Sequence, residues 1–190
     1  MATRLKTAPA SEPISVDEAK AHLRVTFTDD DSYIASLVTA ARIACEQSTQ
    51  RAFITQTWEK FIDAFPADGI DLPYPPTLSL TSIKYIDING TLQTLSGASY
   101  KLDVVSTPGW VVPAYGYTWP TAREEINAVT LEYITGYGSA ASVPQPIKQA
   151  MHLLVGQWYE NREAASEKSQ SELPFGVCML LAPYVVINVL

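Results

Sequence analysis

The stretch Ile54-Thr55-Gln56-Thr57-Trp58-Glu59-Lys60-Phe61-Ile62 is where the apolar period of the chain changes, and it decides the fold. Before it, Ile34, Leu37, Val38, Ala41 and Cys45 recur at the spacing of one helical face. From Thr57 to Ile62 the residues alternate as a half-buried strand does. Pro73, Pro75 and Pro76 then break the chain, and Ser82–Ile88 alternates again. Asn89-Gly90 follows as a turn signal before Leu92–Leu95. Tyr100–Val105, Trp110–Val112 and Ala128–Ile134 predict further strands, so residues 54–138 form a β-rich insertion.

Working outward, helices flank this block. Ser15 with Glu18 three residues later is a capping box, in which each side chain satisfies a backbone donor at a helix start. Ile14 precedes the cap and is placed to staple onto Ala19; the helix ends near Leu23 or Arg24. Asp29, Asp30 and Asp31 favour the positive end of a second helix. After Gly136-Tyr137-Gly138, Pro144 and Pro146 sit at a helix entry, where a missing N–H costs nothing. Ile147, Ala150, Met151, Leu154 and Trp158 line one face of that helix. A short apolar helix at Val177–Leu181 ends at Pro183. The predicted fold is α+β. Residues 1–12 form a flexible arm, and 13–53 and 139–182 form a helical core. The block 54–138 is inserted between them, and 183–190 is an extended C-terminal tail.

A chain of 190 residues and net charge −7 sets bounds on function. Surface scaling lets such a chain bury about 70% of its unfolded area, enough for a core without disulfides or metal. Thirteen Lys and Arg against twenty Asp and Glu, with no basic cluster, argue against a phosphate grip, which needs cations to displace counterions. Cys45 and Cys178 fit no metal or redox spacing and are expected to be buried, reduced thiols. Neither a signal-peptide pattern nor a membrane-length apolar run occurs, so synthesis in a reducing cytoplasm without membrane association is expected.

The sequence carries no recognisable catalytic constellation. His22 and His152 are far apart, and no nucleophile-elbow, zinc-helix, phosphate-loop or dinucleotide pattern is present. No catalytic, cofactor or metal residue is therefore assigned. Gly136 and Gly138 read as a turn, and Glu124 beside Glu125 as surface charge. Trp110, Tyr115, Tyr117 and Trp119 cluster within ten positions. They read as a minicore or an inter-subunit contact, with a sugar-stacking platform as the alternative. The tail Tyr184-Val185-Val186-Ile187-Asn188-Val189-Leu190 is mostly apolar and β-branched. Exposed alone it is an aggregation hazard. It either adds as a strand to another chain's sheet edge or folds back onto its own β block.

The order of segments resembles the head–tail connector family of long-tailed bacteriophages. The likeness rests on Ile14–Val25, the acidic run and helix to Arg42, Arg51–Trp58, Leu72–Pro76 and Tyr133–Gly138. It continues through Pro144–Ala150, Trp158–Ala164, Leu173–Gly176 and Leu181–Tyr184, and spans residues 13–185. The resemblance implies a virion adaptor without enzymatic activity or cofactor, located in the neck between head and tail. It further implies a homo-oligomeric, dodecameric ring bound to the portal and to a stopper or tail-completion protein, with DNA passing through unbound. Another neck or tail-completion ring is the nearest alternative, and a carbohydrate-binding module the alternative of a different class. On this reading the C-terminal tail docks on the portal, and acidic residues facing the lumen repel DNA. Val185, where the family often has Arg, and Cys178-Met179, in place of a more polar pair, make this chain's end more apolar.

Overall fold

The computed structural model describes residues 2–161 and 174–186. The chain divides into two compact units. A helical unit is built from Ala10–Ile54 and the described residues from Gly138 onward, and a β unit from Thr55–Tyr137 with the segment ending at Pro9. The α+β architecture, with terminal helices flanking a central β block, is the one expected.

In the helical unit, α1 (Val16–Leu23) opens with the predicted capping box. Ser15 Oγ accepts from the Glu18 N–H at 3.1 Å, and Glu18 accepts from the Ser15 N–H at 2.6 Å. That second bond holds the Glu18 carboxyl below its ordinary pKa. Helix α2 (Asp31–Thr49) buries Ile34, Val38, Ala41, Arg42, Cys45 and Thr49. Helix α3 (Gln145–Glu160) buries Ile147, Ala150, Met151, Leu154 and Val155, and α4 (Phe175–Leu181) buries Val177 and Leu181. Helices α1, α2 and α3 pack mutually, and α4 packs on α2 and α3.

Buried ionic bonds fasten the chain at both ends of its first helical segment. The buried Arg42 donates to Glu12 and to Glu46, each at 2.7 Å, and Glu46 also accepts from the Phe53 N–H at 2.8 Å. The acidic run does different work from that expected. Asp30 makes no side-chain cap bond; it accepts from the Tyr159 hydroxyl on α3, while Asp31 pairs with Lys20 on α1 at 2.6 Å. The aspartates thus tie helices together, in keeping with helical stability in proteins coming mostly from tertiary contacts. Of the two cysteines, Cys45 is buried and its thiol is pushed up to about 12 by that burial, whereas Cys178 is exposed, contrary to expectation. On a helix of about two turns only one face reaches the core, and Val177 and Leu181 occupy it. Among the described residues no helix is long and apolar enough to cross a membrane.

The β unit contains eight strands. They are β1 (Ala2–Thr7), β2 (Gln56–Ile62), β3 (Ile70–Leu72), β4 (Thr77–Ile86), β5 (Leu92–Thr94), β6 (Tyr100–Asp103), β7 (Gly109–Pro113) and β8 (Val129–Thr135). A five-stranded sheet runs β1-β2-β8-β4-β5, and a three-stranded sheet runs β3-β7-β6. All pairings are antiparallel. Ile62, Ile83, Val129, Leu131 and Tyr133 of the first sheet share one core with Ile70, Leu72 and Val111 of the second. The β4–β5 turn uses the predicted signal: Gly90 takes φ +83°, and the Asp87 side chain accepts from the N–H groups of Asn89 and Thr91. Gly109 is required for a different reason, since a Cβ there would lie 2.5 Å from Thr77 Oγ1.

The N-terminal segment is the main correction. Residues 2–7 are an edge strand paired with β2, and do not form a flexible arm. Proline punctuation at Pro9 and Pro13 suggests an arm, but both prolines lie beyond the strand.

Lys60 points from β2 toward the core side. Its Nζ is buried and bonds the Asp71 carboxylate at 2.5 Å and the Asp71 carbonyl at 2.8 Å, linking the two sheets. Removing one partner of a buried pair costs more than replacing the buried charge with an apolar isostere. Asp71→Ala should therefore lower stability by about 2–4 kcal/mol, and Lys60→Met by clearly less, read as urea midpoints. Equal losses would contradict this account of the pair.

His22 and His152 bring α1 and α3 together, with ring centroids 5.1 Å apart. Burial chiefly, then the neighbouring His22, holds His152 below the ordinary histidine pKa; Glu18 opposes this and Lys148 adds to it. A depressed folded value means that the unfolded chain binds its proton first. Stability is then full above the ordinary histidine pKa near 6.5 and falls as pH drops through it. His152→Gln should flatten the loss of thermal stability between about pH 7 and 5.

Candidate assembly surfaces

Three features of the described surface are chemically distinctive. The first is the outer face of the five-stranded sheet. Glu59 on β2 lies directly opposite Glu132 on β8, a like-charge cross-strand pair that is unfavourable unaided. β1 supplies the missing cations. Arg4 is the register partner of Glu59 and bonds it at 2.5 Å. Lys6 sits at a register shift between Leu5 and Thr7, and this bulge places its ammonium 3.3 Å from Glu59 and 2.6 Å from Glu132. Arg4, then Lys6, hold the Glu59 carboxyl below the usual carboxylate range, and Glu132 raises Lys6. Sequence reasoning missed this ladder. The available signal was the alternation Thr3-Arg4-Leu5-Lys6-Thr7, in which uncharged and basic residues take turns.

The second feature is the aromatic segment, whose four members separate. Trp110 on β7 is 37% exposed, Tyr117 52% and Tyr115 99%. Trp119 instead packs against the β core, stacked on Phe65 with ring centroids 5.0 Å apart. No ring contact joins the four to one another among the described residues. Trp110 and Val112, next-nearest residues of β7, stand on the outer face of the small sheet.

The third is the root of the C-terminal tail. After α4, Ala182–Tyr184 forms a single 3₁₀ turn. Arg51 donates to the Tyr184 carbonyl at 2.5 Å, and the Val186 N–H donates to the Thr49 carbonyl at 3.0 Å. The Thr49 carbonyl lies in the last turn of α2, where no intrahelical partner exists, so Val186 satisfies an otherwise orphaned group. Val186 is buried in its own helical unit, Val185 is 40% exposed and Tyr184 half-buried. The first part of the expected docking tail is thus a bound segment of the helical unit. Ile187, Val189 and Leu190 lie outside the described residues.

No group of three or more His, Cys, Asp or Glu side chains could hold a metal among the described residues.

The family follows from comparison. A model described as Head completion protein matches residues 12–171, and the chain belongs to that family, a structural and non-catalytic class of phage-like particles. Among solved structures, a chain from the virion of a native gene transfer agent particle is similar with TM-score 0.82 at 26% identity, covering 100% of this chain and 98% of that one. A chain from the neck of an empty gene transfer agent particle, computed with C6 symmetry, gives the same values. One from the neck of a native particle, computed with C12 symmetry, gives 0.78 at 26% identity with the same coverage. No curated protein matches the sequence.

The split within the aromatic segment has a direct consequence. Trp119→Ala should cost roughly 2–4 kcal/mol by removing a ring packed on the core. Tyr115→Ala should leave the unfolding midpoint within about 0.5 kcal/mol of the parent. A large loss for Tyr115→Ala would show that this ring is held by its own chain.

Proposed function

We propose that the chain forms a closed ring in the neck of a phage-like particle, between head and tail, joining the portal to a stopper or tail-completion protein and leaving a passage for DNA. The observation that carries this reading is the end-to-end likeness to chains of gene transfer agent necks computed with sixfold and twelvefold symmetry. The match covers 100% of this chain and 98% of the neck chain, so the likeness includes both the helical and the β segments. Twelve copies are the expected number.

Charge supports the passage. A chain of net charge −7, repeated around a ring, gives its bore a repulsive field for phosphates wherever acidic residues face inward. DNA then moves through without adhering, because the cation clusters that hold phosphates are missing from the sequence.

The exposed aromatics are assigned to contacts between subunits or with a partner. Trp110, Tyr115 and Tyr117 are large, amphipathic and outward, the residue types that anchor interfaces. Trp119 is stacked on Phe65 against the β core and is unavailable as part of a sugar-stacking platform. The end of the chain is assigned to the portal. Tyr184–Val186 fixes where the tail leaves the helical unit, and Ile187, Val189 and Leu190 carry the apolar side chains that a portal groove or sheet edge would receive.

Removing residues 187–190 tests the last assignment without disturbing the Val186 bond. The truncated chain should keep its unfolding midpoint and its ring, imaged by negative stain, yet fail to co-purify with the portal protein. Undiminished co-purification would refute the docking role. Particles of the full chain that never close into rings would refute the ring.

A further inference from the structure

We propose that the β2 edge covered by Ala2–Thr7 is an exchange site, where the same strand of a second copy docks when subunits lie side by side. The proposal uses the ring reading only as the source of neighbours.

The way β1 is held makes it exchangeable. Five of its six residues are exposed, and its largest apolar side chain, Leu5, is 41% exposed. Almost no apolar area therefore resists its departure. What remains is a row of backbone hydrogen bonds, the ion pairs of Arg4 and Lys6, and the Arg4 guanidinium over the Phe61 ring, 5.3 Å from its centroid. Those cations are themselves 68% and 41% exposed, so salt screens their pairs. Segments secured in this way open at low free-energy cost while the core stays folded.

The dock, by contrast, belongs to the sheet and persists when the strand leaves. Glu59 and Glu132 remain opposed across β2 and β8, at an edge with unpaired backbone groups. This edge selects a partner by charge: an extended strand with a cation opposite Glu59 and a second cation, two residues on, that bridges both carboxylates. Arg4 and Lys6 of any copy meet that description. Their register, including the bulge at Lys6, is specific enough to distinguish this strand from an arbitrary extended peptide.

Connectivity permits the transfer. The chain leaves β1 through Ala8–Ser11 before Glu12 is fixed to Arg42, and Ala8, Ala10 and Ser11 are exposed. Four residues reach up to about 14 Å when extended. Exchange of identical strands conserves every contact, and around a closed ring each copy gives one strand and receives one.

The test mixes two full-length chains, one carrying Thr7→Cys and the other Thr57→Cys, both with Cys178→Ser. Thr7 and Thr57 are register partners, and Cys45 is buried. A disulfide between the two chains that forms in clear preference to disulfides within either variant alone reports β1 of one lying on β2 of the other. A disulfide-linked heterodimer is expected on a non-reducing gel after oxidation, forming several-fold faster at about 1 M salt. Absence of the heterodimer, while a chain carrying both cysteines closes on itself, would overturn the proposal. If neither oxidises, uptake of a labelled peptide of residues 1–9 by the full-length chain decides. Uptake that is lost with Arg4→Glu and Lys6→Glu in the peptide supports exchange, and no uptake overturns it. Light scattering reports ring formation separately. A ring without the heterodimer refutes exchange alone, and a heterodimer without a ring refutes the ring alone.

Discussion

The pairing of β2 with β8 is the constraint on which the chain's organisation depends. Gln56 lies opposite Thr135, so the first and last strands of the central block run side by side and their outer ends coincide. A block of some eighty residues thereby begins and ends at neighbouring points, and the helical segments on either side are interrupted without being pulled apart. β8 is suited to this place because Val129, Leu131, Tyr133 and Thr135 are all buried, while the alternate residues face outward. Strands that close over such long sequence separations pay a large loop entropy before any contact forms. Burial along the whole inner face of β8, flanked by β2 and β4, is what offsets it.

Most of this organisation was legible because it follows from periods and punctuation. The change from a 3.6-residue to a two-residue repeat near Ile54 marks the edge of the block, and the unit boundary falls at Ile54/Thr55. Ser15 and Glu18 announce a helix start through a reciprocal bond between groups three residues apart, which any reader of the sequence can identify. Asn89-Gly90 does the same for a turn. What was not legible depends on partners remote in sequence. Nothing local to Asp30 reveals that Tyr159 will donate to it, and nothing near Val186 indicates the Thr49 carbonyl. The aromatic segment shows the same limit. Its four rings look alike in sequence, yet Phe65, some fifty residues earlier, draws Trp119 to the core and leaves Tyr115 outside.

The N-terminal strand illustrates how charge substitutes for burial. A strand without an apolar face cannot be recognised from hydrophobic alternation, and Ala2–Thr7 has none. Its place is set by a defect in the neighbouring sheet, two carboxylates opposed across β2 and β8. Such a pair would be poor design in a sheet that ended there. Beside a strand with Arg4 and Lys6 it becomes the reason for one register over others. The same residues keep the edge from being generically adhesive, since an apolar strand laid on β2 would leave both carboxylates uncompensated.

A subunit that works by assembly must expose groups that a monomer would prefer to bury, and it must not aggregate while waiting for its partners. The two ends of this chain meet that conflict in different ways. At the N-terminus the β2 edge is filled by the chain's own strand, held by the ion pairs of Arg4 and Lys6 with Glu59 and Glu132. At the C-terminus Val186 is buried and hydrogen-bonded to the helical unit, so the apolar side chains that follow start from a fixed point. A fixed origin reduces the conformational entropy lost when a segment docks. Protection by self-pairing and direction by anchoring are both cheap in residues: Arg4 and Lys6 suffice for the first, and the bonds of Tyr184 and Val186 for the second.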